Sequence, residues 1–168
     1  MKWLFPFVLS LCLFSSFAWA NSENEFLAKK LVLETSRDIL KDAQGTFEKI
    51  KSGNLPYKNG ELYVFVYDLS LNMVAHYDKK LIGVNLKGKA DVCGCLFRDE
   101  IYNRVTNSVG DTNCRSSDKD FVFYVYKNPK TGKLEHKKAF FKLTKIPDGR
   151  TYIVVSGVYL KELRECEK

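Results

Sequence analysis

The sequence lacks the short motifs that identify the common enzyme classes. It contains no G-x-S-x-G nucleophile elbow, no H-E-x-x-H zinc motif and no glycine-rich phosphate-binding loop. It has two histidines, His76 and His136, and a Cys/His hydrolase would also need a free thiol. These absences predict a protein that is not an enzyme, with no catalytic residue, cofactor or metal ion.

The sequence also lacks a second long apolar run, an internal repeat and a proline- or glycine-rich linker. Its one long apolar run lies at the start, where Lys2 precedes an apolar stretch that ends in Ala18-Trp19-Ala20, a typical signal-peptide cleavage site. We therefore interpret residues 1–20 as a secretory signal peptide. Residues 21–168 are then a single domain, periplasmic or secreted.

Neither sign of charge is concentrated in one part of the chain. There are 27 Lys and Arg residues against 20 Asp and Glu residues, and the two signs are interspersed. A nucleic-acid-binding protein usually gathers its basic residues on one face. The sequence therefore predicts no nucleic-acid partner.

Four cysteines remain once Cys12 is removed with the signal peptide: Cys93, Cys95, Cys114 and Cys166. An even number in an exported chain predicts two disulfides. A bridge between Cys93 and Cys95 would close a very small ring, so it is disfavoured. The other two pairings stay open, and a zinc site or a thiol–disulfide function built on these cysteines is an alternative.

The periodicity of apolar residues predicts an α+β fold. Ser22 and Glu25 form a capping box, and apolar residues at helical spacing continue to Ile50, which predicts a helix over residues 23–51, bent at Gly45. Short helices are expected at 96–109 and 160–167, and strands at 62–68, 73–77, 120–127, 134–145 and 150–158. This order predicts a five-stranded antiparallel sheet with the long N-terminal helix packed on it.

Several motifs follow the long helix in a fixed order. They are Gly60-Glu-Leu-Tyr-Val-Phe-Val-Tyr-Asp68, Ala75-His76, Ile82-Gly83, Tyr124-Val-Tyr-Lys-Asn-Pro-Lys-Thr-Gly-Lys133 and Gly157-Val-Tyr159. In this order they resemble the single Cache domain, a PAS-like extracytoplasmic module that binds small molecules. Two regions depart from the family pattern: Asp120-Phe121 stands where the family commonly has Gly-Trp, and cysteine-bearing segments occupy 91–95 and 110–117.

The resemblance implies a sensor or binding protein for a small organic ligand, often a short carboxylate. A compact anion needs a few cationic or hydroxyl groups in an otherwise apolar cup. The candidate ligand-binding residues are His76, Tyr124, Tyr126, Lys137, Arg98 and Tyr102. This hypothesis requires a cavity of metabolite size. If the interior is packed solid with side chains, the sensing role fails even though the fold stands.

Each candidate residue also has an ordinary structural interpretation. His76 could end a strand, the tyrosines could be core aromatics, and Lys137 and Arg98 could be solvated. The resemblance further implies a membrane receptor or kinase as partner and a homodimer through the N-terminal helix. The alternative function is an envelope or virulence-type interaction protein that uses the same fold as a scaffold.

Overall fold

The computed structural model describes residues 15–114, 118–160 and 166, with side chains from residue 22 onward. The predicted signal peptide lies largely outside these residues, as does the predicted tail helix. The helices are α1 (Ser15–Lys41), α2 (Ala43–Ser52) and α3 (Phe97–Thr106), with a 3-10 turn at Lys79–Leu81. The strands are β1 (Lys58–Asn59), β2 (Leu62–Asp68), β3 (Met73–Ala75), β4 (Phe121–Lys127), β5 (Leu134–Lys145) and β6 (Thr151–Leu160).

The predicted long helix is two helices, and the interruption lies at Asp42 instead of Gly45. Asp42 has an extended backbone, with φ of −153° and ψ of 92°. Its carboxylate accepts a hydrogen bond of 2.9 Å from the Gly45 amide and so caps the start of α2. A β-carbon on Gly45 would collide with that carboxylate. The glycine therefore makes room for the cap that separates the helices.

The strands form one antiparallel sheet, confirming the predicted α+β fold. The strand order is β1-β2-β6-β5-β4, and β3 also pairs with β2. The sixth strand, absent from the prediction, is β1, whose two residues pair with the start of β2. Strands β5 and β6 are paired along ten residue positions from His136↔Leu160 to Lys145↔Thr151 and form the centre of the sheet.

Each face of the sheet carries its own apolar core. On the first, here called the helix face, α1 and α2 bury Val32, Ile39 and Phe47 against strand residues such as Val64 and Val154. Full burial of each such side chain stabilises the fold by about 1.5–3 kcal/mol. The opposite face, here called the cup face, carries the alternate β2 residues. The segment 71–101, which includes the start of α3, covers this face. The buried residues of the resulting core include Tyr63, Phe65, Tyr67, Leu71, Met73, Leu86, Phe97 and Ile101.

Two disulfides fix the segment that covers the cup face. They join Cys93 to Cys166 and Cys95 to Cys114, which selects one of the two pairings that the sequence left open. The carboxylate of Asp91 accepts hydrogen bonds of 2.9 Å from the amides of Cys93 and Cys95. It also accepts one of 2.7 Å from the amide of Val125 in β4. The segment just before α3 is thereby attached to the edge of the sheet.

Candidate functional site

The cup face has a floor of small residues bordered by aromatic rings. Gly157 of β6 pairs with Ala139 of β5 at the centre of the sheet. A β-carbon on Gly157 would lie 2.7 Å from the α-carbon of Ala139 and 2.6 Å from a backbone oxygen, so only glycine fits there. Beside this floor, Lys137 lies between Tyr124 and Tyr159 in the strand pairing.

Lys137 is the most unusual residue of the site. Its side chain is 0% exposed, and among the described residues its Nζ has no hydrogen-bond partner. The Nζ lies 3.7 Å from the ring centre of Tyr63 and 4.7 Å from that of Tyr159. Burial holds the pKa of Lys137 well below its usual value, although nearby Glu61 opposes the shift. A solvated lysine is therefore excluded.

Arg98 is a second buried basic residue. It is 6% exposed and lies on α3 with its guanidinium 4.0 Å from the ring centre of Phe97. Its Nε donates to the Tyr67 hydroxyl and its Nη1 donates to the carbonyl of Lys89, both at 3.2 Å. No described carboxylate forms an ion pair with it. Arg98 therefore brings a positive charge to the cup face that the neighbouring residues do not neutralise.

His76 contacts the rings of Tyr63 and Phe65, as Lys137 does, and is neutral. It is 3% exposed, and its Nδ1 accepts a hydrogen bond of 2.8 Å from the Asp78 amide, so the ring proton is on Nε2. Burial lowers the pKa of His76 to about 4, with further lowering by the charges of Lys137 and Arg98. His76 can therefore donate one hydrogen bond into the cup.

Aromatic side chains complete the lining. Tyr124 is buried and stacks on Phe97 with ring centres 3.7 Å apart and planes at 1°. Tyr126 meets Tyr124 edge to face at 6.2 Å. Burial raises the pKa of the Tyr124 hydroxyl well above its usual value, so the hydroxyl stays protonated. Tyr124 belongs to the core, as the ordinary interpretation holds, and it also faces the cavity.

The structure brings together most of the predicted ligand-binding residues. His76, Arg98, Tyr124 and Tyr126 line one cavity. Lys137 lies behind Tyr63, outside the direct lining, and half-buried Tyr102 packs at the edge of the same core without facing the cavity. The remaining lining residues were missed by the sequence reasoning: Tyr63, Phe65, Tyr67, Met73 and Phe97. The alternation of Tyr63, Phe65 and Tyr67 could have placed those three on one face.

The cavity between these residues is nearly filled. Its volume is about 10 Å³, which is roughly the space that one water molecule needs. Between the described residues of the cup face there is therefore no cavity of the predicted metabolite size. The stacked rings of Phe97 and Tyr124 face the small remaining space, and the buried chain of Lys137 fills the sheet surface behind Tyr63. A metabolite would need at least the stack to move.

Comparison with known proteins supplies the family. A family profile for the Cache domain matches residues 25–164. A methyl-accepting chemotaxis protein from Vibrio parahaemolyticus has a similar structure, with a TM-score of 0.61 and 15% identity over 86% of this chain and 91% of that one. A Cache chemosensory domain, described for carboxylic acid recognition, has a TM-score of 0.59 and 18% identity over 86% of this chain and 96% of that one. No curated protein matches significantly. No helix within the described residues is long and apolar enough to cross a membrane.

Proposed function

Because the chain belongs to the Cache domain family, we propose that it binds a short organic carboxylate between the cup face and helix α3. Cache domains are extracytoplasmic sensory modules for small molecules. One of the similar structures is a Cache chemosensory domain described for carboxylic acid recognition. The proposed role here is that of an exported, stand-alone, non-enzymatic binding protein, whose partner is a membrane receptor or a kinase.

The single observation that carries the proposal is the buried Nζ of Lys137, which has no hydrogen-bond partner among the described residues. Burying a polar group without a partner is unfavourable, and proteins normally avoid it. Among the described residues the Nζ of Lys137 has only ring faces around it. A carboxylate beside it would supply the missing acceptor. Arg98 would supply a second, fork-shaped donor for the same anion.

Binding would require the cup to open. The Phe97–Tyr124 stack is the contact to break, and such an aromatic pair contributes about 0.5–1.5 kcal/mol beyond its buried area. Two hydrogen bonds to charged groups offset this cost, because each contributes about 1.5–3 kcal/mol. Helix α3 would move together with the segment closed by the Cys95–Cys114 disulfide.

Thermal denaturation with a panel of short carboxylates, amino acids and amines tests the proposal. A ligand at one hundred times its dissociation constant stabilises the folded state by about 2.7 kcal/mol. We expect a carboxylate to raise the melting temperature of the wild type and of Lys138→Met, but not that of Arg98→Gln. If no compound raises it, carboxylate binding is wrong.

The nearly filled cavity favours a second candidate function. A Cache domain whose cavity has room for roughly one water molecule would act as a scaffold that presents its outer surface to another protein of the envelope. If none of the tested carboxylates, amino acids and amines raises the melting temperature, that result supports the scaffold function. The scaffold function predicts that Arg98→Gln binds the partner protein as well as the wild type does.

A further inference from the structure

Two adjacent lysines of β5 have opposite environments. Lys138 lies on the helix face, where its Nζ is 2.8 Å from a Glu25 carboxylate oxygen and 3.2 Å from one of Asp118. Burial alone would lower the pKa of Lys138, but these two carboxylates together outweigh it and raise the pKa. Lys137 lies on the cup face with no ion pair and no hydrogen-bond partner among the described residues. One lysine is thus held as an ammonium, whereas the other has surroundings suited to a neutral amine.

A neutral lysine amine in an apolar, aromatic environment is the usual form of a lysine that reacts with carbonyl groups. The rings of Tyr63, Tyr159 and Phe65 surround the Lys137 Nζ at 3.7, 4.7 and 5.5 Å from their centres. Depression of the Lys137 pKa by burial agrees with this. The free lone pair of such an amine is a nucleophile.

We propose that Lys137 forms a reversible imine with the carbonyl group of a 2-oxo acid whose carboxylate is bound by Arg98. This inference rests on the proposed function and names its ligand class. The rings of Tyr63 and Phe65, which contact the Lys137 Nζ, also lie 5.4 and 5.9 Å from the His76 ring, centre to centre. His76 lines the cavity together with Arg98, so the imidazole borders both the two rings that the amine contacts and the cavity that the guanidinium lines. A 2-oxo acid matches this arrangement, because its carbonyl carbon can meet the Lys137 amine while its carboxylate meets the Arg98 guanidinium and His76 donates a hydrogen bond.

The reaction balances without an oxidant or a reductant. The Lys137 nitrogen attacks the carbonyl carbon, the C=O electron pair moves to oxygen, and one proton passes from nitrogen to that oxygen to give a carbinolamine. The hydroxyl then leaves as water with a second proton while the nitrogen lone pair forms the C=N bond. The hydroxyls of Tyr63 and Tyr159 are 3.1 Å apart and belong to two of the rings around the Nζ, but neither hydroxyl is a hydrogen-bond partner of that nitrogen. Burial raises the pKa of both hydroxyls, so both remain protonated.

Reductive trapping tests the inference. The protein is incubated with pyruvate and cyanoborohydride, which reduces an imine to a stable amine, and the modified lysine is located by peptide mass spectrometry. We expect one dominant adduct at Lys137, at least tenfold above that at any other lysine. It should be lost in Lys137→Arg, retained in Lys138→Arg, and suppressed by propionate, which has a carboxylate but no ketone.

The outcomes separate this inference from the proposed function. If pyruvate and propionate both raise the melting temperature but no adduct forms at Lys137, the imine is wrong and carboxylate binding stands. Adducts spread evenly over the surface lysines would also overturn the imine. If neither compound stabilises the protein and no adduct forms, both proposals fail. Because trapping is performed on the wild type, a variant that fails to fold does not affect the result.

Discussion

Replacing Lys137 by methionine should stabilise the ligand-free protein. Methionine keeps most of the apolar chain but removes the Nζ, which is fully buried and has no hydrogen-bond partner among the described residues. A buried polar group without a partner costs about 1–3 kcal/mol in proteins. At about 2–4 °C per kcal/mol for a domain of this size, the melting temperature should rise by roughly 2–12 °C.

The pH dependence of this stabilisation is also predicted. Because burial lowers the pKa of Lys137 in the folded protein, the unfolded chain binds more protons than the folded one between that lowered pKa and the ordinary lysine pKa. The free energy of unfolding of the wild type therefore increases as the pH rises toward about 10.4, by at most about 1.4 kcal/mol per pH unit from this residue. The difference in stability between Lys137→Met and the wild type should therefore decrease as the pH rises. Tyrosines that do not contact position 137 ionise equally in both proteins, so their effect cancels in the difference.

Chemical denaturation of the two proteins between pH 6 and pH 10 measures this effect. Lys138→Met is the matched control, because it removes the ion pairs to Glu25 and Asp118 from a partly buried side chain. It should destabilise the protein by about 1 kcal/mol. The reasoning is refuted if Lys137→Met destabilises the protein by as much as Lys138→Met, since Lys137 would then have a stabilising partner in solution.

Three further predictions concern other parts of the molecule. Because burial lowers the pKa of His76 from 6.5 to about 4, the free energy of unfolding should fall by about 3 kcal/mol as the pH drops through that interval. Urea denaturation of His76→Gln should show a smaller decrease, and a decrease as large as in the wild type would contradict this. Replacing both Cys95 and Cys114, which are 19 residues apart, by serine should cost about 3 kcal/mol of unfolding free energy, whereas an unchanged midpoint in denaturant would show that the bridge does not constrain the unfolded chain. Phe26 and Leu40 on α1 are 65% and 47% exposed and lie two heptads apart, as in a coiled-coil seam. Light scattering should therefore find a dimer that Leu40→Glu converts to monomer, and a dimer insensitive to that change would place the interface elsewhere.

Much of the fold was predictable because its signals are local. The apolar stripe of the N-terminal helices, the alternation in β2 and the turn at Asn128-Pro129 all depend on residues close together in sequence. The break at Asp42 was missed because Gly45 is the weaker helix former, while the interruption depends on the cap that the Asp42 side chain provides. Strand β1 is too short, at two residues, to leave a periodic signal.

The site was only partly predictable because it depends on distant contacts. The sequence suggested Lys137 and Arg98 as candidates, but it favoured a solvated position for both, because His136 and Lys138 flank Lys137 and Arg98 lies on a short helix. Burial of Lys137 follows from the pairing of β5 with β4 and β6. The stacking of Phe97 on Tyr124 joins residues on different elements, and no local pattern indicates that the stack closes the cavity.

Calorimetric titration of a short carboxylate in two buffers with different ionisation enthalpies tests the central claim most directly. If the anion binds beside Lys137, the lysine pKa must rise in the complex, so binding takes up a proton and the observed enthalpy differs between the buffers. We expect proton uptake in the wild type and none in Lys137→Met. A carboxylate that binds with equal enthalpy in both buffers, or binds Lys137→Met with unchanged proton uptake, would contradict the account.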